Sequence, residues 1–322
     1  MQTDKNFALI GASGYIAPRH MKAIKETGNN LIAALDPYDG IGIMDSHFPQ
    51  ASFFTEFERF DRFVDKWHRE HDKKIDYISI ASPNYLHDSH IRFALKSGCD
   101  AICEKPLVLN PHNLEQLKVI ENETGHRVNT ILQLRLHPSI IALKEKVSKE
   151  LEKNPNKVYD IDLTYLTSRG KWYFVSWKGN QEKSGGIASN IGVHFYDMLS
   201  WIFGDVEENI VHIKTPDANA GILKLKNANV KWFLSINYDY LPEDIKAKGQ
   251  ATFRSITVED EEIEFSGGFK DLHTLSYEEI LKGNGFGLDE AYPSIRTVST
   301  IRELEPIGLS GDYHPFCEKV ID

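Results

Sequence analysis

The run Phe7-Ala-Leu-Ile10-Gly11-Ala-Ser-Gly14-Tyr-Ile-Ala17 decides how the rest of this 322-residue chain is read. Four apolar residues fit a short buried strand, and a glycine-rich turn follows at once. A helical pattern then runs to Thr27, and Gly28 stops it. Leu31-Ile-Ala-Ala-Leu35 is a second apolar run, closed by Asp36-Pro37. Strand, small-residue turn, helix, strand and acid stand in the order of a βαβ unit that holds a dinucleotide. Each part has a mechanical task. Gly11, Ser13 and Gly14 let the backbone approach a pyrophosphate, and Tyr15 and Ile16 carry the turn into the helix. The free N–H groups and dipole of that helix start favour phosphate charge. Ala17 packs helix on strand where a third glycine is usual. Asp36 can accept hydrogen bonds from both ribose hydroxyls and repels a 2′-phosphate, which selects NAD over NADP. Ser13 stands where a strict G-x-G-x-x-G would place its second glycine.

Strand and helix patterns keep alternating outward from that unit. Residues 39–52 read as an irregular loop with Gly40, Gly42 and Pro49. Phe57 to His71 is a charged amphipathic helix, whose His68 and His71 lie on a solvated face and suggest no metal. Ile75–Ile80 is a strand ending in Ala81-Ser-Pro-Asn-Tyr-Leu-His87, followed by a helix to Ser97 and a stop at Gly98. Ala101-Ile-Cys103 is the next strand and ends in Glu104-Lys105-Pro106. Asn110 then caps a helix opened by Pro111. Val128–Leu132 is the last strand of the series. Four strand ends converge: the glycine turn, Asp36, Ser82–His87 and Glu104–Pro106. That is the ligand crevice of a doubly wound parallel sheet. On this edge Ser82, Asn84, His87, Glu104 and Lys105 join the cofactor set, with Gln133 just past the last strand. Lys105, with Glu104 beside it, can be held in one geometry and tuned in pKa.

The Rossmann-type domain closes at residue 132, and 133–322 form a second domain of α+β class. Alternating runs at Val158–Leu166, Asn209–Lys214, Gly221–Leu225, Lys231–Tyr238, Ala251–Ile256 and Glu262–Phe265 predict a mostly antiparallel sheet. Helices are few: one to Glu152, Ile187–Phe203, a short one near Tyr277–Leu281, and Ala291–Leu304. Between the first long strand and the helix at 187, Arg169, Lys171, Lys178 and Lys183 crowd with Trp172, Tyr173 and Trp177. Cations plus flat rings suit an anionic substrate that also carries rings, such as a sugar nucleotide. Behind the diglycine Gly185-Gly186, Asn190, His194 and Asp197 recur at i, i+4 and i+7 and share one helix face.

Composition narrows the class further. Apolar residues make up 41% and charged residues 26% of an ordinary globular chain. Thirty-seven Lys and Arg against 47 Asp and Glu leave a net charge of −10, which argues against nucleic acid or an anionic membrane as partner. A local cation cluster can still bind an anionic substrate. Cys99, Cys103 and Cys317 fit no zinc or disulfide framework, and the first two read as core thiols. The polar start, Met1 to Asn6, shows no signal peptide, so the cytoplasm is the expected compartment.

With Glu104-Lys105-Pro106 and Gly185-Gly186…His194…Asp197 both in view, the whole chain resembles the Gfo/Idh/MocA family of NAD(P)-dependent sugar oxidoreductases. The resemblance implies that Lys105 contacts substrate and nicotinamide and that His194 is the acid/base. Asn190 stands where the family usually has aspartate. An amide accepts no proton, so the transfer rests on His194, Lys105 or a substrate group. Gly11–His20, Ser176–Gly179 and Asn190–Phe195 look most like the branch acting on UDP-N-acetylglucosaminuronic acid in bacterial O-antigen (lipopolysaccharide) biosynthesis. That branch oxidises the sugar C3 hydroxyl to a ketone. Its relatives are tetramers that hold NAD tightly, and some recycle NADH with 2-oxoglutarate. The implied substrate contacts are Lys105, Arg169, Tyr173, Trp177, Lys178, Asn190 and His194. Two other readings are a dehydrogenase of a free sugar or polyol, and a non-catalytic NAD-binding regulator.

Overall fold

The computed structural model describes residues 4–259, 261–263 and 271–321. The chain divides into two compact units, Met1–Gln133 with Lys270–Tyr292, and Leu134–Phe269 with Pro293–Asp322. The first unit is built on six strands: β1 (Asn6–Ile10), β2 (Asn30–Leu35), β3 (Ser52–Phe54), β4 (Tyr77–Ile80), β5 (Asp100–Cys103) and β6 (Val128–Thr130). All neighbours are parallel, in the order β3-β2-β1-β4-β5-β6. All five residues of β1 are buried, as a strand covered on both faces must be, and its apolar run was visible for that reason. The order reverses between β1 and β4, so the turns after these two strands open on one crevice. The helix Pro111–Thr124 starts as expected, with the Asn110 side chain accepting from His112 N–H at 2.9 Å.

Two elements depart from the expected pattern. The stretch 39–52 is not all loop, because it holds the helix Ile41–His47 and the start of β3. Both are too short for a periodic signal to show. The second departure concerns residues after 132, which do not all belong to the second unit. The helix Leu272–Leu281 packs into the first. Tyr277 and Ile280 are buried in one apolar cluster with Phe7, Leu9, Met21 and Ile24. Thr130 N–H donates to Phe286 O at 2.8 Å, which ties the same returning segment to the edge of the sheet. A helical pattern shows that a face must be buried, but not which distant sheet will cover it.

The second unit carries β7 (Tyr159–Thr167), β8 (Val206–Lys214), β9 (Ala218–Leu225), β10 (Ala228–Ser235), β11 (Thr252–Val258) and β12 (Glu261–Glu262), in the order β12-β11-β7-β10-β9-β8. Every pair is antiparallel except β7 with β10. The strand expected at Lys231–Tyr238 begins three residues earlier, at Ala228. Of the run Glu262–Phe265, residues Glu264 and Phe265 lie outside the described residues. Among the described residues no helix is long and apolar enough to cross a membrane.

A buried ion pair fixes the helix Val193–Phe203 in this unit. Arg135 Nε donates to Asp197 Oδ2 at 3.0 Å and Nη2 to Oδ1 at 2.7 Å. The side chains are 7% and 2% exposed. Removing one partner strands a buried charge, which costs about 3–5 kcal/mol. Asp197→Ala is therefore expected to lower the urea stability of the protein by about that amount, while Arg135→Met with Asp197→Leu recovers most of it. A single variant as stable as the wild type would mean the pair is solvated.

Candidate active site

Gly11 turns the chain at φ +89° and lies so close to the end of β4 that a Cβ would sit 2.5 Å from the Ala81 carbonyl carbon and 2.6 Å from Ser82 N. Only glycine tolerates both the dihedral and the approach. Gly11 and Ala12 N–H both donate to Leu35 O, which docks the turn on the end of β2. Ser13, in place of a second glycine, makes two ties of its own. Its N–H donates to Asp36 Oδ2 at 2.9 Å, and its hydroxyl donates to Tyr38 O at 2.9 Å. Gly40 makes room for that hydroxyl, since a Cβ there would lie 2.0 Å from Ser13 Oγ. Tyr38 N–H donates to Asp36 Oδ1 at 2.9 Å. The carboxylate is thus aimed by two backbone donors, with a lone pair left on each oxygen for a ribose diol. Gly14 and Ile16 are partly buried behind Tyr15, which is 88% exposed.

The turns after β4 and β5 are joined by a buried imidazole. His87 Nε2 lies 2.8 Å from Ser82 O and Nδ1 lies 2.8 Å from Pro106 O. Ser82 Oγ meets His90 Nδ1 at 2.9 Å, and the ring of Phe57 stacks on His90. Asn84 is buried at the start of the turn Asn84–Leu86. Glu104 is also turned inward. Its Oε1 accepts from His20 Nε2 at 3.1 Å and His273 Nε2 at 2.8 Å, and its Oε2 from Lys105 N–H at 3.2 Å. Burial alone would raise this carboxyl, but the histidine hydrogen bonds outweigh it and hold Glu104 well below the usual range. His87 and Glu104, expected beside the cofactor, direct their polar side-chain atoms onto protein partners and hold the loops. Lys105 itself is half-buried, and Gln133 is nearly buried at the start of the turn Gln133–Leu136.

His20, Glu104 and His273 place one ligating atom each within 4.8 Å of the others. No local spacing announces this set, because His20 and His273 are 84 and 169 residues from Glu104. The available signals were a histidine on the buried face of the first helix, and His273 and Tyr277 at i and i+4 on another.

In the second unit, Arg169 and Lys171 are exposed and lead into the one-turn helix Trp172–Val175. Tyr173 is 2% exposed, and Asn190 Nδ2 donates to its hydroxyl oxygen at 3.0 Å. Burial raises the Tyr173 phenol above its ordinary range. The Lys178 ammonium lies 4.3 Å from the centre of the Trp177 ring. Gly185 and Gly186 both have positive φ, at 82° and 77°, and lead into a π-helical turn, Ala188–Gly192. Such wide turns recur at functional sites. Asn190 falls inside it and His194, half-buried, two residues beyond. Asn190 lies in the π turn, while His194 and Asp197, three residues apart, lie in the α-helix that follows, where Asp197 accepts from Arg135.

Residues 5–131 match the model of an oxidoreductase family described as an NAD-binding Rossmann fold, and residues 156–241 match that family's C-terminal alpha/beta domain. The WlbA (WbpB) dehydrogenase from Thermus thermophilus, in complex with NAD and alpha-ketoglutarate, superposes with a TM-score of 0.92 at 51% identity over 97% of this chain and 99% of that one. The same enzyme in complex with NAD and UDP-GlcNAcA gives 0.92 at 50% identity over 97% and 99%. D-glucoside 3-dehydrogenase from Escherichia coli (strain K12) is 23% identical over 132 residues, 41% of this chain and 36% of that protein. This chain spans only about a third to a half of the length of the first curated relatives that it matches, 36% to 56%.

Two expectations follow. A carboxylate and a phosphate some 4 Å apart near a protein surface repel by about 4 kcal/mol. Calorimetry should therefore find NAD bound at least about tenfold tighter than NADP, with Asp36→Ser narrowing the gap. Equal binding by the wild type contradicts the role of Asp36. The second concerns pH. Burial lowers His20 and His87, and brings His90 to about 4 from 6.5. The His20 and His90 rings stay neutral when folded and take up protons on unfolding, so stability falls as pH drops below 6.5. Urea midpoints should decline below that pH, by at most about 1.4 kcal/mol per pH unit per histidine. A flat profile would show these imidazoles to be solvated.

Proposed function

The chain belongs to the Gfo/Idh/MocA family of oxidoreductases, and we propose that it oxidises the C3 hydroxyl of UDP-N-acetylglucosaminuronic acid to a ketone with NAD. The observation that carries this reading is the likeness, at about half identity over 97% of the chain, to a dehydrogenase crystallised with NAD and UDP-GlcNAcA. The oriented Asp36 carboxylate and the glycine turn fit an adenosine diphosphate, and NAD bound there supplies the hydride acceptor.

The remaining chemistry falls to this chain's own side chains. The hydride leaves C3 as the hydroxyl loses its proton. The Lys105 ammonium can donate to O3, and the His194 imidazole can take the proton. Asn190, held by Tyr173, orients the sugar and is no base. Arg169 and Lys178 meet the carboxylate or the diphosphate, and Trp177 offers a flat face. Tyr173, being buried, supports Asn190 rather than touching substrate. The same cations suit a dicarboxylate, which supports 2-oxoglutarate as the oxidant that returns NADH to NAD. A cytoplasmic homotetramer completes the reading. A free polyol would leave Arg169 and Lys178 without a task, and a mere NAD sensor needs neither Lys105 nor His194.

The test is NADH formation, followed by absorbance, when NAD and UDP-GlcNAcA are added to the protein. Lys105→Met and His194→Ala are each expected to lower kcat at least about 10²-fold with NAD still bound. Arg169→Ala should weaken substrate binding by about 1.5–3 kcal/mol without touching NAD affinity. Turnover of a free polyol in place of the UDP-sugar acid would refute the proposal.

A further inference from the structure

We propose that His20 and His273 are positioning residues for Lys105, acting through the carboxylate of Glu104. The inference rests on the reading of Lys105 as the group that meets the substrate hydroxyl. Glu104 precedes Lys105 directly at the end of β5, and its Oε2 accepts from the Lys105 backbone N–H at 3.2 Å. The carboxylate therefore holds the peptide from which the lysine side chain springs. Its other oxygen is held in turn by two imidazole N–H groups, at 3.1 and 2.8 Å. His20 comes from the first helix, Ala17–Glu26, and His273 from the returning helix Leu272–Leu281. Two elements far apart in sequence thus converge on one buried acid beside the catalytic lysine.

The proton placement is internally consistent. His20 Nδ1 is 2.7 Å from the Tyr277 hydroxyl, which is 2.6 Å from Ser79 Oγ. If Ser79 donates to Tyr277 and Tyr277 to His20 Nδ1, the His20 proton lies on Nε2, where it donates to Glu104. Burial keeps His20 neutral, so it gives one proton and receives one. His20 and His273 then place N–H donors on one carboxylate oxygen, and the Lys105 backbone places one on the other. Three ligating atoms this close could also hold a transition metal. The lengths of 2.8 and 3.1 Å and the backing by Tyr277 are those of hydrogen bonds, and hydrogen bonds satisfy every one of these atoms.

His273→Ala removes a donor from the buried carboxylate and releases one restraint on the Glu104–Lys105 peptide. His273→Gln keeps an N–H near the Nε2 position. Displacing a reacting group by an ångström can cost about 10²-fold in rate. His273→Ala is therefore expected to lower kcat about tenfold or more, with KM for UDP-GlcNAcA and the NAD dissociation constant within about twofold. His273→Gln and His20→Gln should restore kcat to within about threefold of wild type. Nitrogen NMR of ¹⁵N-histidine-labelled protein should show His20 as a neutral Nε2–H tautomer and His273 with a proton on Nε2. That readout needs no turnover, so it separates failure of the clamp from failure of the substrate assignment. Wild-type kcat in His273→Ala overturns the proposal, as does a loss of kcat matched by equal losses of NAD affinity and melting temperature. So does a stoichiometric metal in the purified protein that disappears with His273→Ala, because the imidazoles would then be ligands and not donors.

Discussion

A carboxylate taken out of water must find hydrogen-bond donors or give up its charge. Glu104 is only 7% exposed and keeps its charge, and much of the first unit is arranged around that fact. One donor is the backbone of Lys105, one comes from the first helix, and one comes from a helix more than 160 residues later in the chain. The apolar cluster beneath supplies the dry surroundings that make these bonds strong. The same geometry that satisfies the acid also sets the position of the lysine beside it.

The parts of the fold that were legible in the sequence are those whose signal is local. Phe7–Ile10 and Ala101–Cys103 are apolar because strands of a parallel sheet are covered on both faces. Gly11 and Asp36 are spaced by the turn and helix they bracket, and the Asn110-Pro111 cap is a matter of adjacent residues. What escaped notice depends on partners distant along the chain. His20, His273 and Tyr277 have ordinary neighbours in sequence, and only the packing of Leu272–Leu281 on the first unit brings them together. The short helix Ile41–His47 and the three-residue β3 escaped for another reason, since neither is long enough to show a period.

The second unit shows the limit of helical spacing as a guide to a site. Asn190, His194 and Asp197 have the spacing of one helix face, and an unbroken α-helix would align them. Five residues of π-helix behind two positive-φ glycines carry Asn190, while His194 and Asp197 stand in the α-helix that follows. Asp197 is left to anchor the helix through Arg135, and Asn190 is turned onto the hydroxyl of Tyr173. Spacing along the sequence does not show which of these residues the backbone turns onto a protein partner.

The return of residues 270–292 to the first unit also bears on how the protein is made. An N-terminal unit continuous in sequence can finish folding while the rest of the chain is still being synthesised. This one cannot, because Tyr277 and Ile280 belong to its core and His273 to its buried acid. Until that segment leaves the ribosome, the sheet stands with one cluster open and Glu104 short of a donor. The stretch Leu134–Phe269 is in effect a long insertion within the first unit, and a gene cut after Gln133 leaves out Tyr277, Ile280 and His273.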